Sequence, residues 1–309
     1  MCFLRPILKV SLGEEVMLDR IIFGDNQFFG INHMSEEKAQ AQYERFRNVE
    51  AIIDVIDIAY DAGIHAYMFN THGLVKDICD HFRSDPARYA DLKLYVSMPY
   101  AHKYANAVAE KGIFGALKDT IISDSSAGDI VGMLTKGGFS LFEKDMIRVA
   151  QILIDIEMKM FRDLNVKVFF IQNIVTDLLL GFGVREVFVS FADYIREIYG
   201  AEPGFVTLNL PKLVNFLLNC GIANPVVCSA INKAGYFMNP DVESYEHTLK
   251  EKQFQPIAMS ILASGAVRPE EAVEYVCNQQ RIQSVVFGAS SKQHIVETKN
   301  LIERYIDLQ

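Results

Sequence analysis

The chain has 309 residues, half of them hydrophobic, and a formal net charge of −9. That length suits one α/β barrel with an ample core, and the acidic balance argues against a nucleic-acid partner, which requires a basic face. No run of about 20 uninterrupted apolar residues is present, so no membrane span is expected.

The N-terminus, MCFLRPILKVSLGEEV, lacks a long apolar core and a small-residue cleavage site, so it does not read as a signal peptide. Residues 1–18 read as a hairpin around Gly13 or a loose tail. The five cysteines (Cys2, Cys79, Cys220, Cys228, Cys277) form no Cys-x-x-Cys pair and no zinc-like spacing. A scattered, odd set suits a reducing cytoplasm.

Strand one is expected at Arg20–Gly24, delivering Asp25-Asn26-Gln27-Phe28-Phe29-Gly30 to its carboxyl end. Helical spacing of Ile52, Ile53, Ile56 and Ala59 predicts one helix from Glu36 to Ala62, stopped by Gly63. Strand two, His65–Phe69, leads into Asn70-Thr71-His72-Gly73 and a helix over Leu74–Phe82. Strand three, Leu92–Ser97, leads into Met98-Pro99-Tyr100-Ala101-His102. The next stretch, 105–165, is longer than one barrel connection needs. It has room for a helix (Ala105–Ile121), a polar hinge from Ser123, and a second helix (Phe142–Leu164).

Strand four is expected at Val166–Ile171, followed by Gln172-Asn173 and a helix over Arg185–Tyr199. Strand five, Gly204–Leu208, ends in Asn209, and helix Pro211–Cys220 follows, capped by Gly221. Strand six, Pro225–Ile231, leads to Asn232 and Lys233, then to a helix over Asp241–Lys252. The run Pro256–Ile261 reads as strand seven, with a helix opening at Arg268-Pro-Glu-Glu, where Pro269 suits the first turn. Ser284–Phe287 has no room to alternate polar and apolar faces, as in a strand covered on both sides. It is followed by Gly288-Ala289-Ser290-Ser291 and an amphipathic helix ending near Leu308. Eight strands alternating with helices predict a single-domain (β/α)8 TIM barrel over 1–309, with its site at the carboxyl ends of the strands. The small-residue turn before the last helix is placed to hold an anion on backbone N–H groups.

The endings PIAMSILASG and VVFGASSKQHI resemble the last two units of the aldo/keto reductases. The resemblance implies a nicotinamide cofactor gripped by Gly288, Ala289, Ser290 and Ser291. His294 stands near the family's basic residue for an extra phosphate, favouring NADP over NAD. The same resemblance adds Asn209 and Ser260 to the cofactor set. That family reduces carbonyls with an Asp, a Tyr, a Lys and a His. Here Asn70 stands in the Asp place, His72 replaces the Tyr, Met98 lies where the Lys is usual, and Gln172 or Asn173 replaces the His.

Losing the Asp and Lys together removes the charge pair that acidifies a tyrosine, whereas an imidazole titrates near neutrality unaided. His72 is therefore the leading acid–base candidate, with Asp25, Asn70 and Tyr100 beside it. The expected reaction is NAD(P)-linked oxidation or reduction of a small carbonyl or alcohol. Three alternatives stay open. Lys233, after strand six, is placed as a Schiff-base lysine of the class I aldolase kind if it is desolvated. Asp25, His72 and His102 would have to converge to hold a metal, but no ligand spacing supports that and none is expected. A barrel that binds a ligand without turning it over is the third.

Overall fold

The computed structural model describes residues 17–29, 36–99, 139–279 and 281–306. Eight parallel strands close into a barrel in sequence order. They are β1 (Ile21–Gly24), β2 (Ala66–Asn70), β3 (Lys93–Met98), β4 (Val166–Ile171), β5 (Glu202–Thr207), β6 (Val226–Ala230), β7 (Gln255–Met259) and β8 (Ser284–Phe287). Closure is made by β1 against β8, with Ile21 opposite Val285 and Phe23 opposite Phe287. This is the expected (β/α)8 TIM barrel.

Alternation along each strand divides the core in two. Ile22, Met68, Tyr95, Val168, Phe170, Val206, Cys228 and Ile257 fill the interior. Phe23, Tyr67, Phe69, Val96, Phe169, Phe205, Val227 and Val285 pack outward against the helices. The interior is tight enough to select glycine at 204, where an added Cβ would lie 2.4 Å from the Phe170 ring. At the amino-terminal end, Asp19 closes the barrel by accepting from Lys93 at 2.6 Å, Lys167 at 3.0 Å and the Tyr95 hydroxyl at 2.7 Å.

Ten helices surround the described barrel: α1 (Glu36–Arg45), α2 (Val49–Asp61), α3 (Val75–Ser84), α4 (Phe139–Met158), α5 (Asn173–Phe182), α6 (Arg185–Tyr194), α7 (Leu210–Asn219), α8 (Val242–Glu251), α9 (Pro269–Cys277) and α10 (Lys292–Ile306). The single helix expected over 36–62 is two. Asn48 takes extended geometry and its side chain accepts from the Glu50 amide, starting α2 afresh. Helix α5 was not expected at all. Its exposed side carries Ile174, Leu178 and Phe182, which blurs the polar–apolar period that marks a helix. Strand seven ends at Met259 rather than Ile261, because Ser260 adopts a left-handed φ of 54°. Of the long connection between β3 and β4, helix α4 and the turn Lys159–Phe161 are described. The expected N-terminal hairpin, the helix Ala105–Ile121, the hinge at Ser123, Tyr100 and His102 lie outside the described residues. Among the described residues no helix is long and apolar enough to cross a membrane.

Candidate active site

The carboxyl ends of β1, β2 and β4 bring three polar side chains into one chain of hydrogen bonds. Asp25 follows β1 directly, and its carbonyl accepts from the Phe28 amide at 2.9 Å, fixing a tight turn. That turn folds the carboxyl inward, leaving the residue 4% exposed. The Asn70 backbone amide donates to Asp25 Oδ2 at 2.7 Å, and Asn70 Nδ2 reaches Oδ1 at 3.0 Å and Oδ2 at 3.1 Å. Gln172 Nε2 then donates to Asn70 Oδ1 at 2.9 Å. Burial pushes the Asp25 carboxyl up to about 6, while the bonds from Asn70 hold it from rising further. A buried carboxyl that titrates near neutrality is a common mark of a reaction centre.

His72 lies two residues beyond Asn70, in a turn closed by its own amide on the Asn70 carbonyl at 2.8 Å. Its Nδ1 accepts from the Leu74 amide at 3.2 Å, so the proton of the neutral ring sits on Nε2. The ring stacks on Phe29 with centroids 4.2 Å apart. Burial lowers its pKa, so the imidazole is uncharged at neutral pH.

The β5–β6 side of the mouth holds a second carboxyl that the sequence did not single out. Asp177 of α5 accepts from the Thr207 hydroxyl at 2.5 Å and from the Leu208 amide at 3.0 Å. Ser229 donates to the Thr207 carbonyl at 2.8 Å and lies 3.3 Å from the Tyr245 hydroxyl, which accepts from the Leu210 amide at 3.2 Å. Asn209 caps α7, accepting from the Lys212 amide at 3.3 Å. Its side-chain oxygen thus serves the helix start, in a residue that the family resemblance adds to the cofactor set.

Lys233 is placed differently from its sequence expectation. Its side chain is 54% exposed and its ammonium pairs with Glu271 Oε1 of α9 at 2.5 Å. The Schiff-base reading needed a desolvated amine, and an exposed, ion-paired lysine does not supply one.

After β7 the backbone turns through Ser260 (φ 54°), Ala263 (φ 46°) and Ser264 (φ 57°). Left-handed non-glycine residues are costly and gather at ligand-binding turns. At the β8 corner, Ser291 Oγ accepts from the His294 amide at 3.3 Å, and Arg45 Nη2 of α1 donates to the Ser290 carbonyl at 2.7 Å. A Cβ on Gly288 would fall 2.0 Å from Gln27 Oε1. A side chain at 288 would have to displace the amide of Gln27, whose Nε2 donates to the Gly24 carbonyl at 2.8 Å and whose buried Oε1 has no partner among the described residues. Arg45 and Gln27 were invisible as site residues, because nothing in their local sequence signals the approach of β8.

No family model and no curated protein matches this chain. Solved structures do. A Pseudomonas aeruginosa protein named as an aldo-keto reductase superposes with a TM-score of 0.57 at 12% identity, over 93% of this chain and 90% of that one. The fold is that of the aldo-keto reductases. A thermostable aldo-keto reductase in complex with the inhibitor epalrestat superposes with a TM-score of 0.54 at 11% identity, covering 94% of each chain. An aldo-keto reductase from a Medee basin deep-sea metagenome library gives 0.51 at 8% identity, over 96% of this chain and 92% of that one. On this aldo-keto reductase fold, the present chain carries Asn70, Met98 and Gln172 at the ends of β2, β3 and β4.

Proposed function

We propose that the protein is an oxidoreductase of the aldo-keto reductase kind, acting on a small carbonyl or alcohol with NADP or NAD. The observation that carries this reading is the placement of a buried, proton-active Asp25 and a neutral His72 on one side of the barrel mouth, with phosphate-suited turns after β7 and β8. Those turns fit a dinucleotide. The left-handed residues Ala263 and Ser264 shape an anion-binding concavity, and Ser290 and Ser291 open α10. Gln27 fills the space directly over Gly288, so the phosphates would lie along Ser290 and Ser291 instead. Arg45 reaches the Ser290 carbonyl, and Lys292 and His294 fall in the first turn of α10 on an otherwise acidic protein, which favours the additional phosphate of NADP.

When bound, the cofactor supplies or accepts hydride. The chain's own residues handle the oxygen. His72 presents its proton at Nε2, an uncharged donor to a carbonyl oxygen. Asp25 holds Asn70, and Asn70 holds Gln172, so the β1–β2–β4 side of the mouth is fixed before substrate arrives. Cys79, Cys220 and Cys228 are buried free thiols, in keeping with the cytoplasm as the compartment.

Titration with NADPH, followed by the emission of the reduced nicotinamide, is expected to saturate well below millimolar. Absence of saturable binding at millimolar NADPH and NADH would overturn the reading.

A further inference from the structure

The seam that closes the barrel stops one hydrogen bond early. Parallel strands bond at even, two-residue steps. Between β1 and β8 the Val285 amide donates to the Arg20 carbonyl at 2.9 Å, and the pairing runs up to Phe23 opposite Phe287. Two further steps of that ladder bring the Ala289 amide to the Gly24 carbonyl. Instead the Gly24 carbonyl accepts from Gln27 Nε2 at 2.8 Å. Among the described residues the Ala289 amide has no partner.

Gln27 is 7% exposed and sits in the turn Asn26–Phe28. The Gly24 carbonyl fixes which way its amide faces, because exchanging the two ends would set oxygen against oxygen. Oε1 is therefore turned to Gly288, where an added Cβ would lie 2.0 Å from it, and it has no partner among the described residues. A buried amide oxygen without a donor is a cost that native folds rarely carry, so close packing alone does not account for this residue. Beside it, Arg45 Nη2 donates to the Ser290 carbonyl at 2.7 Å. The C=O and N–H of a planar trans peptide point opposite ways, so the Ser291 amide is turned away from Arg45. Helix α10 then opens at Lys292, and its first amides have no acceptor within the helix.

We propose that Gln27 is a positioning residue: by taking the Gly24 carbonyl it ends the β1–β8 ladder and frees the Ala289 amide to bind a phosphate group beside the start of α10. The phosphate oxygens would accept from the amides of Ala289 and Ser291, at the positive end of the helix. A methyl or a carboxylate at 27 could not hold the seam open in this way, since neither donates to the Gly24 carbonyl. That the phosphate belongs to a nicotinamide dinucleotide rests on the oxidoreductase reading above; the freed amide rests on the β1–β8 seam alone.

The test follows the backbone ¹H–¹⁵N signal of Ala289 in the full chain, identified by its loss in Ala289→Gly. In the parent protein this amide is expected to exchange with deuterium faster than the ladder amide of Val285. Inorganic pyrophosphate, up to millimolar concentration, is expected to shift it saturably. In Gln27→Ala the seam gains its last bond. Exchange at Ala289 is then expected to slow, and pyrophosphate to bind about tenfold more weakly, the usual contribution of one hydrogen bond to a charged group. Gly288→Ala, which must push the Gln27 amide aside, is expected to do the same and decides the matter where Gln27→Ala does not fold. The proposal is overturned by a parent Ala289 amide as protected as that of Val285, or by a signal that pyrophosphate leaves in place. It is equally overturned by a folded Gln27→Ala in which neither exchange nor affinity changes. Pyrophosphate that shifts Ala289 where NADPH does not would uphold the freed amide and remove the oxidoreductase reading.

Discussion

The mouth of the barrel carries two partly or wholly buried carboxyls, and their surroundings differ in where they lead. Among the described residues Asp25 is held by Asn70, and its hydrogen bonds run on to Gln172, which is partly exposed at the carboxyl end of β4. Asp177 is bound by Thr207 and the Leu208 amide, and the neighbouring chain through Ser229 ends at Tyr245, which is fully buried against the start of α7. Burial raises both carboxyls from their ordinary value. A perturbed carboxyl alone thus does not distinguish a reaction centre from a strut. The difference lies in whether the hydrogen bonds run toward the opening or into the helical ring.

The sharpest way to break this comparison is His72→Ala. On the reactive side it should lower turnover by about 10²–10⁴-fold, the usual worth of a positioned acid or base, with the melting temperature little changed. Steady-state kinetics on a carbonyl probe with NADPH measures this, and unchanged turnover would favour a barrel that binds without catalysing. The next largest effect concerns Asp25→Asn. Ionising the parent carboxyl at about 6 instead of 3.8 costs the native state about 3 kcal/mol at pH 8. A raised carboxyl contributes stability that is complete below the unfolded pKa and lost as pH rises through the folded one. Asp25→Asn should therefore be more stable than the parent at pH 8, and the gain should fade between about pH 6 and 4. Urea unfolding at both pH values checks the sign.

Asp177→Ala tests the other carboxyl. It strands the Leu208 amide and the Thr207 hydroxyl, a loss of about 1–3 kcal/mol, with little change in the pH profile of turnover. A shifted pH profile would erase the distinction drawn between the two sides. Smallest of all should be Lys233→Met. An exposed ion pair is largely screened by solvent, so both stability and turnover should stay near those of the parent. A large loss of turnover would return the lysine to the candidate site.

Much of the barrel was legible because each strand is a short apolar run and each run stops at Gly, Asn or a polar cluster. Ser284–Phe287 and Val166–Ile171 were located to the residue. The misread helices have a local physical cause. Asn48 caps α2 in the middle of a continuous helical pattern, and α5 is apolar on the side that faces out. The site was legible as a set of positions, since polar residues just after strands two, four and six fall at the open end of any such barrel. Their roles were less so. Lys233 and Asn209 occupy the expected positions, yet one pairs with Glu271 and the other caps its own helix.

The order and count of the strands follow from the chain alone, because short apolar runs and the turn chemistry between them are local properties. The sequence also placed Asp25, Asn70 and His72 at strand ends. Only the tertiary structure decided that Asp25 and Asn70, 45 residues apart, would share two hydrogen-bonding groups, that Gln172 would join them from 102 residues beyond Asn70, and that Gln27 would sit against Gly288. Protonation and hydrogen-bond polarity depend on which groups exclude water around an atom, and in a closed barrel those groups come from strands distant in sequence.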